Sequence, residues 1–287
     1  MNEADQPPSG GASNAPGGSS DLMPRLVAGV VMAIVAVALA WAGLAPFGLL
    51  IVVAALLMCW EWGRVVRGTE YGAAFYVHAA AIAIAVALSA FGHPALGLGA
   101  VVAGFVLLLV MPFVENRLMS AVGALYVGLP AVAILWLRGD EPLGFLAIVF
   151  IFAVVWGSDI GAFAAGRGLG GPKLWPRVSP KKTWSGFIGG LTAGLIGGAV
   201  VALAVPGASP AALGATGLAL AMVAQLGDLA ESALKRRFGV KDSSSIIPGH
   251  GGVMDRADST VAVSVVIAIV ALLVNPASPA RALLIGG

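Results

Sequence analysis

Polar and apolar residues fall along this chain in long blocks, not in short alternation. From about residue 24 onward, apolar runs are separated by brief polar or Gly/Pro-containing breaks, and each run approaches the roughly 20 residues that cross a bilayer as a helix. The runs lie at 24–42, 46–63, 73–92, 96–114, 118–137, 143–165, 185–206, 211–236 and 257–275. They predict an all-α polytopic membrane protein of about nine transmembrane helices. Glycines inside the runs, such as Gly186, Gly189, Gly190, Gly194, Gly197 and Gly198, suit close helix packing. Residues 1–20 are rich in Gly, Ser, Pro, Ala and Asn without apolar periodicity, and read as a disordered tail and not a signal peptide. The organisation expected is a tail over 1–20, about five helices over 21–140, and a chemistry-bearing region over 141–287.

Composition sharpens this reading. Of the 287 residues, 59% are hydrophobic and 10% charged, whereas a soluble domain carries about 25% charged residues. The single cysteine, Cys59, lies in an apolar run, which excludes a disulfide framework and a cysteine-based metal site. A net charge of +2 says little, but its placement says more. If the nine runs cross alternately, 14 of the 16 Lys and Arg residues fall on one side, with Arg138 and Arg281 alone on the other. The excess of cations marks the cytoplasmic side, so the amino terminus is expected in the cytoplasm and the carboxyl terminus outside. Every candidate catalytic residue then faces the cytoplasm, where nucleotides are.

The first five runs are poor in polar groups. Glu61, between Trp60 and Trp62 and close to Arg64, reads as half of an interfacial ion pair, and His78 and His93 stand alone without an assigned role. From Trp156 the character changes. Asp159 sits inside the sixth run, where an uncompensated carboxylate is costly. Gly166 to Gly171 with Arg167 and Lys173 read as a flexible basic loop. Ser179, Lys181, Lys182 and Thr183 precede the seventh run and offer cations and hydroxyls at a helix amino terminus, where anions are favoured. In the eighth run Asp228, Glu231, Ser232 and Lys235 share one helix face. A polar stripe of this kind points into a hydrated cleft, although a structural Glu231–Lys235 pair competes with that reading. Arg236 and Lys241 follow, then Pro248, Gly249, His250, Gly251 and Gly252, then Asp255, Arg256 and Asp258 at the start of the ninth run. Asp255 and Asp258 are three residues apart on one turn. With Asp228 they form a candidate oxygen-rich Mg²⁺ site, completed by phosphates and water.

These residues carry a resemblance. Ser232 with Lys235 and Arg236, then Lys241 and Asp242, then the Pro-Gly-His-Gly-Gly turn ending at Gly252, then Asp255, Arg256 and Asp258, resemble the signature of the phosphatidate cytidylyltransferases (CDP-diacylglycerol synthases). The Ser179-Pro-Lys-Lys-Thr183 segment is similar to the one that precedes it in that family. Ala257, Ser185 and Phe163 depart from the family pattern, which has a larger apolar residue, Glu and Tyr there. The resemblance covers about residues 156–260. It implies transfer of CMP from CTP to phosphatidate, a divalent-metal centre on Asp228 and Asp255, and residence in a bacterial-type inner membrane.

In that reading Asp228, Asp255, Lys182 and His250 are the catalytic residues, and Asp228, Asp255 and Asp258 hold the Mg²⁺, with a second cation left open. Ser179, Lys181, Lys182, Thr183, Ser232, Lys235, Arg236, Lys241 and Arg256 bind phosphate. His250 either donates to the leaving pyrophosphate or orders its loop. The partners are CTP, phosphatidate and membrane lipid, without nucleic acid, and a homodimer is compatible. The alternatives are a CTP-dependent polyprenol kinase and, with less support, an ion-coupled transporter. Polar residues crowd into the second half without an internal repeat, which argues against transport.

Overall fold

Each of the nine apolar runs becomes a helix in the computed structural model, which describes residues 22–247 and 251–286, the side chains of 22–26 aside. The helices are α1 (Leu22–Ala42), α2 (Leu44–Arg67), α3 (Ala73–Ala90), α4 (Pro94–Val110), α5 (Arg117–Arg138), α6 (Gly144–Leu169), α7 (Trp184–Ala202), α8 (Pro210–Arg237) and α9 (Met254–Val274). Among the described residues, seven of them are long and apolar enough to cross a membrane: α2, α3 and α5 through α9. The apolar parts of α1 (Val27–Ala42) and α4 are shorter. This is the architecture of an all-α polytopic membrane protein. Large apolar side chains face outward along the bundle, including Trp41 at 74% exposure, Phe91 at 81% and Leu273 at 81%. Their cost in water vanishes against lipid.

Three features lie outside the expected helices. A two-stranded antiparallel hairpin, β1 (Lys173–Trp175) and β2 (Ser179–Thr183), joins α6 to α7. A short α10 (Pro279–Leu284) closes the chain. The third corrects the expected flexible loop over 166–171. There α6 continues through Leu169, and only Gly170 and Gly171 adopt positive φ. Glycine is a poor helix former, but Gly166 lies against the start of α7, where an added Cβ would stand 3.0 Å from Thr183 Oγ1. Close helix packing outweighs local propensity here.

One apolar core runs from Ala40 through α2, α5, α6, α8 and α9 to Leu284, with a smaller cluster formed by Ala74, Leu108, Val114, Ala121 and Ala124. The helix ends that frame the site are fixed by local chemistry. Thr183 Oγ1 accepts from Gly186 N at 3.1 Å and caps α7. Ser209 does the same for α8, with Pro210 in its first turn. At 28 residues, α8 is about 42 Å long, more than the hydrocarbon thickness of about 30 Å. Its polar last turns therefore extend towards the interface.

Candidate active site

The last turns of α6, the second half of α8, the start of α7 and strand β2 line a cavity of about 540 Å³. Asp159, Phe163 and Arg167 line it from α6, Lys181, Lys182 and Thr183 from the hairpin, and Gln225 and Asp228 from α8. Lys182 Nζ lies 2.6 Å from Asp228 Oδ2, each side chain being about three-quarters buried. This pair brings together two residues that the sequence nominated separately. Ser232 Oγ lies 3.4 Å from Asp228 Oδ1, as their spacing along one helix face predicts. Gln225, which drew no attention in the sequence, is buried and donates from Nε2 to Phe187 O at 3.1 Å, tying α8 to α7.

A second charged cluster lies on the same helix, one to two turns further on. Lys235 Nζ is 2.6 Å from Glu231 Oε2 and 2.5 Å from Asp255 Oδ1, and the residue is only 8% exposed. Lys235 was expected on phosphate, yet its ammonium is engaged by two carboxylates. The competing Glu231–Lys235 pairing is the one observed. Asp255 also accepts from Ser243 N (3.0 Å), Ser243 Oγ (3.0 Å) and Gly252 N (2.8 Å). Asp258 Oδ1 accepts from its neighbour Ser259 N at 2.6 Å, and its carboxylate is in the electrostatic field of Asp228, Glu231 and Asp159. Asp159 in turn interacts with Asp228, Lys182 and Arg256. Arg236 is exposed and donates to Val240 O, Lys241 is exposed on the following turn, and Ser179 opens β2. His250 lies outside the described residues.

Among the described residues, no three His, Cys, Asp or Glu side chains converge so as to hold a metal ion by themselves. The three-carboxylate cage expected from Asp228, Asp255 and Asp258 is therefore not assembled there, because Lys182 and Lys235 are inserted among these groups. Five carboxylates (Asp159, Asp228, Glu231, Asp255 and Asp258) share the region, and Glu231 Oε1 is buried without a hydrogen-bond partner among the described residues.

Two contributors from the first five helices escaped the sequence reading. Glu61, expected in an interfacial pair with Arg64, is instead fully buried and bonded to the loop before α9. Arg64 pairs with Glu70 at 2.9 Å. Tyr126 of α5 packs on Trp62 with ring centroids 5.0 Å apart, and its buried hydroxyl is in the field of Glu231, Asp258, Asp255 and Asp228. Neither residue belongs to a local motif, so only the fold reveals them.

Residues 23–274 match the model of the cytidylyltransferase family. A phosphatidate cytidylyltransferase of Brucella suis biovar 1 is 44% identical over 247 residues, covering 85% of this chain and 90% of the relative. The enzyme of that name from Bacillus subtilis is 42% identical over 137 residues, covering 47% of this chain and 51% of its own length. The one from Rickettsia bellii is 41% identical over 149 residues, 49% of this chain and 63% of its own. With the match extending over nearly all the described helices, the chain belongs to the cytidylyltransferase family.

Proposed function

We propose that the chain transfers CMP from CTP to phosphatidate, giving CDP-diacylglycerol and pyrophosphate, in the cavity between α6, α7 and α8. Besides family membership, the carrying observation is the combination found at that cavity. Lysines and aspartates line one wall, and exposed apolar side chains flank it: Ile160 at 69%, Phe163 at 67% and Leu226 at 53% exposure. A nucleotide triphosphate suits the first surface and a lipid reaching in from the bilayer suits the second.

A phosphate oxygen of phosphatidate attacks the α-phosphorus of CTP, the α–β phosphoanhydride bond breaks, and pyrophosphate leaves with the bonding electrons. A phosphomonoester has its second pKa near 6, so the nucleophile is largely ionised at neutral pH and needs no strong base. The obstacle is repulsion between two anions. Lys181, Lys182 and Arg167 line the cavity and screen that repulsion, which is catalysis by positioning and electrostatics. Lys235 acts through Asp255, which it holds at 2.5 Å.

The carboxylates here, with a Glu231 oxygen that has no hydrogen-bond partner among the described residues, fit a divalent cation only together with phosphate oxygens, the arrangement Mg²⁺ favours with one or two carboxylates. Asp228 and Asp255 would hold it. When bound, the cation supplies charge neutralisation on the triphosphate.

The cation-rich face is assigned to the cytoplasm, with nine crossings, the amino terminus inside and the carboxyl terminus outside. The relation of helix ends supports this. Arg138 at the end of α5 donates to Ala40 O near the end of α1, and Asp140 accepts from Ala280 N just beyond α9. Thus α1, α5 and α9 run in one direction, and the site lies at the opposite end.

The test uses the purified full chain in detergent–lipid micelles with labelled CTP, phosphatidate and Mg²⁺. CDP-diacylglycerol and pyrophosphate are the expected products. Phosphorylation of an added polyprenol with release of CDP, and no product from phosphatidate, would replace this reading with a lipid kinase.

A further inference from the structure

Glu61 links the first helices to the catalytic loop. Its residue is 0% exposed, and its carboxylate accepts three hydrogen bonds. Oε1 receives Ser244 Oγ (2.6 Å) and Val253 N (2.9 Å), and Oε2 receives Met254 N (2.6 Å). Asp255 binds the adjacent positions, Ser243 N and Oγ and Gly252 N. Residues 243 and 252 are therefore held by one carboxylate, and residues 244, 253 and 254 by the other. The two acids, from α2 and α9, interlock at both ends of the loop. Gly252 lies between them, and a Cβ there would come within 2.3 Å of Glu61 Oε1 and 2.0 Å of Ser243 Oγ. The first turn of α9 has no side-chain cap from its own N-cap residue, Val253. Glu61 supplies from α2 the anion that such a turn needs.

We propose that Glu61 is a positioning residue for the active site. It does not touch substrate. It fixes Ser244, Val253 and the first turn of α9, and so sets the aim of Asp255. The same clamp holds both ends of the segment that carries the Pro-Gly-His-Gly-Gly motif. The inference rests on the cytidylyl-transfer reading for its kinetic consequence and on the hydrogen bonds alone for the clamp.

The experiment compares Glu61→Gln, Glu61→Asp and the exposed control Glu70→Gln with the unmodified chain in detergent–lipid micelles. Three quantities are measured: kcat and KM for CTP and phosphatidate, amide hydrogen exchange, and melting temperature. For Glu61→Gln, kcat falls on the order of 10²-fold while KM for phosphatidate holds. Exchange accelerates at residues 243–247 and 251–256 and nowhere else among the described residues, and the melting temperature stays with that of the control. Glu61→Asp keeps the charge but retracts it by one methylene, and gives an intermediate kcat. An unchanged kcat in Glu61→Gln overturns the proposal. So does a loss of kcat accompanied by faster exchange throughout the bundle and a lowered melting temperature, because that pattern marks a merely structural residue. If the unmodified protein makes no CDP-diacylglycerol, the reaction assignment fails, and the exchange pattern then decides the clamp independently.

Discussion

At the end of the bundle away from the cavity, Arg138 is buried at the end of α5. It donates from Nε to Ala40 O at 2.6 Å and pairs with Glu141, while Asp140 caps α10 through Ala280 N at 2.8 Å. At the cavity end, Lys182, Lys235 and Arg256 sit among five carboxylates, one of which has an oxygen without a partner among the described residues. Both ends use the same devices, a buried cation and a carboxylate on helix N–H groups. They differ in closure. The remote end matches donors to acceptors and ties α1, α5 and α10 together. The cavity end sets Arg167, Lys181 and Lys182 against only Asp159 and Asp228 around an open volume of about 540 Å³, which leaves cationic charge in excess. Matched charge holds helices, whereas unmatched charge beside a cavity is set to receive a ligand.

The largest expected effect tests that difference directly. Asp228→Asn and Asp255→Asn each lower kcat by about 10³-fold, a loss typical of removing a group that acts on transition-state charge; the melting temperature stays near that of the unmodified protein for Asp228→Asn and falls for Asp255→Asn, whose carboxylate also holds Lys235, Ser243 and Gly252. Turnover of labelled CTP and a thermal melt, run side by side, check this. Retained activity in both variants would remove the contrast between the ends. Next, Lys182→Met lowers kcat/KM for CTP by about 10²-fold, and Lys182→Arg recovers part of it. An equal loss in both would mean that fit in the wall matters more than charge.

The remote end should respond in stability alone. Arg138→Ala costs about 2 kcal/mol by leaving Ala40 O and a buried site unsatisfied, read as a lower melting temperature with unchanged kcat for the folded fraction. Asp140→Ala costs about 1 kcal/mol through loss of the α10 cap, read by the same melt. Smallest of all, breaking the Arg64–Glu70 pair, whose side chains are 41% and 48% exposed, changes stability by less than about 1 kcal/mol and leaves turnover untouched.

Much of this was legible in the amino-acid order. Apolar run length located the nine long helices among the described residues and missed the short α10, because placing about 20 residues in lipid or in the core leaves the backbone no other way to satisfy its hydrogen bonds. Helical spacing placed Asp228, Glu231, Ser232 and Lys235 on one face, of which Asp228 lines the cavity. The hairpin over 173–183 was not legible, being too short and too charged to show alternation. The extension of α6 through Gly166 depends on its contact with α7.

What remained hidden was which charges meet. Lys182 and Asp228 are drawn together from different elements, and Lys235 joins Asp255 across 20 residues. Glu61 reaches Ser244 across 183 residues. Periodicity and desolvation act locally along the chain, so the order of residues sets where helices lie and which faces carry charge. Pairing between distant charges depends on which helix ends packing brings side by side. For that reason Glu61 reads as an ordinary interfacial acid in sequence and becomes a buried clamp only once α2 stands against the start of α9.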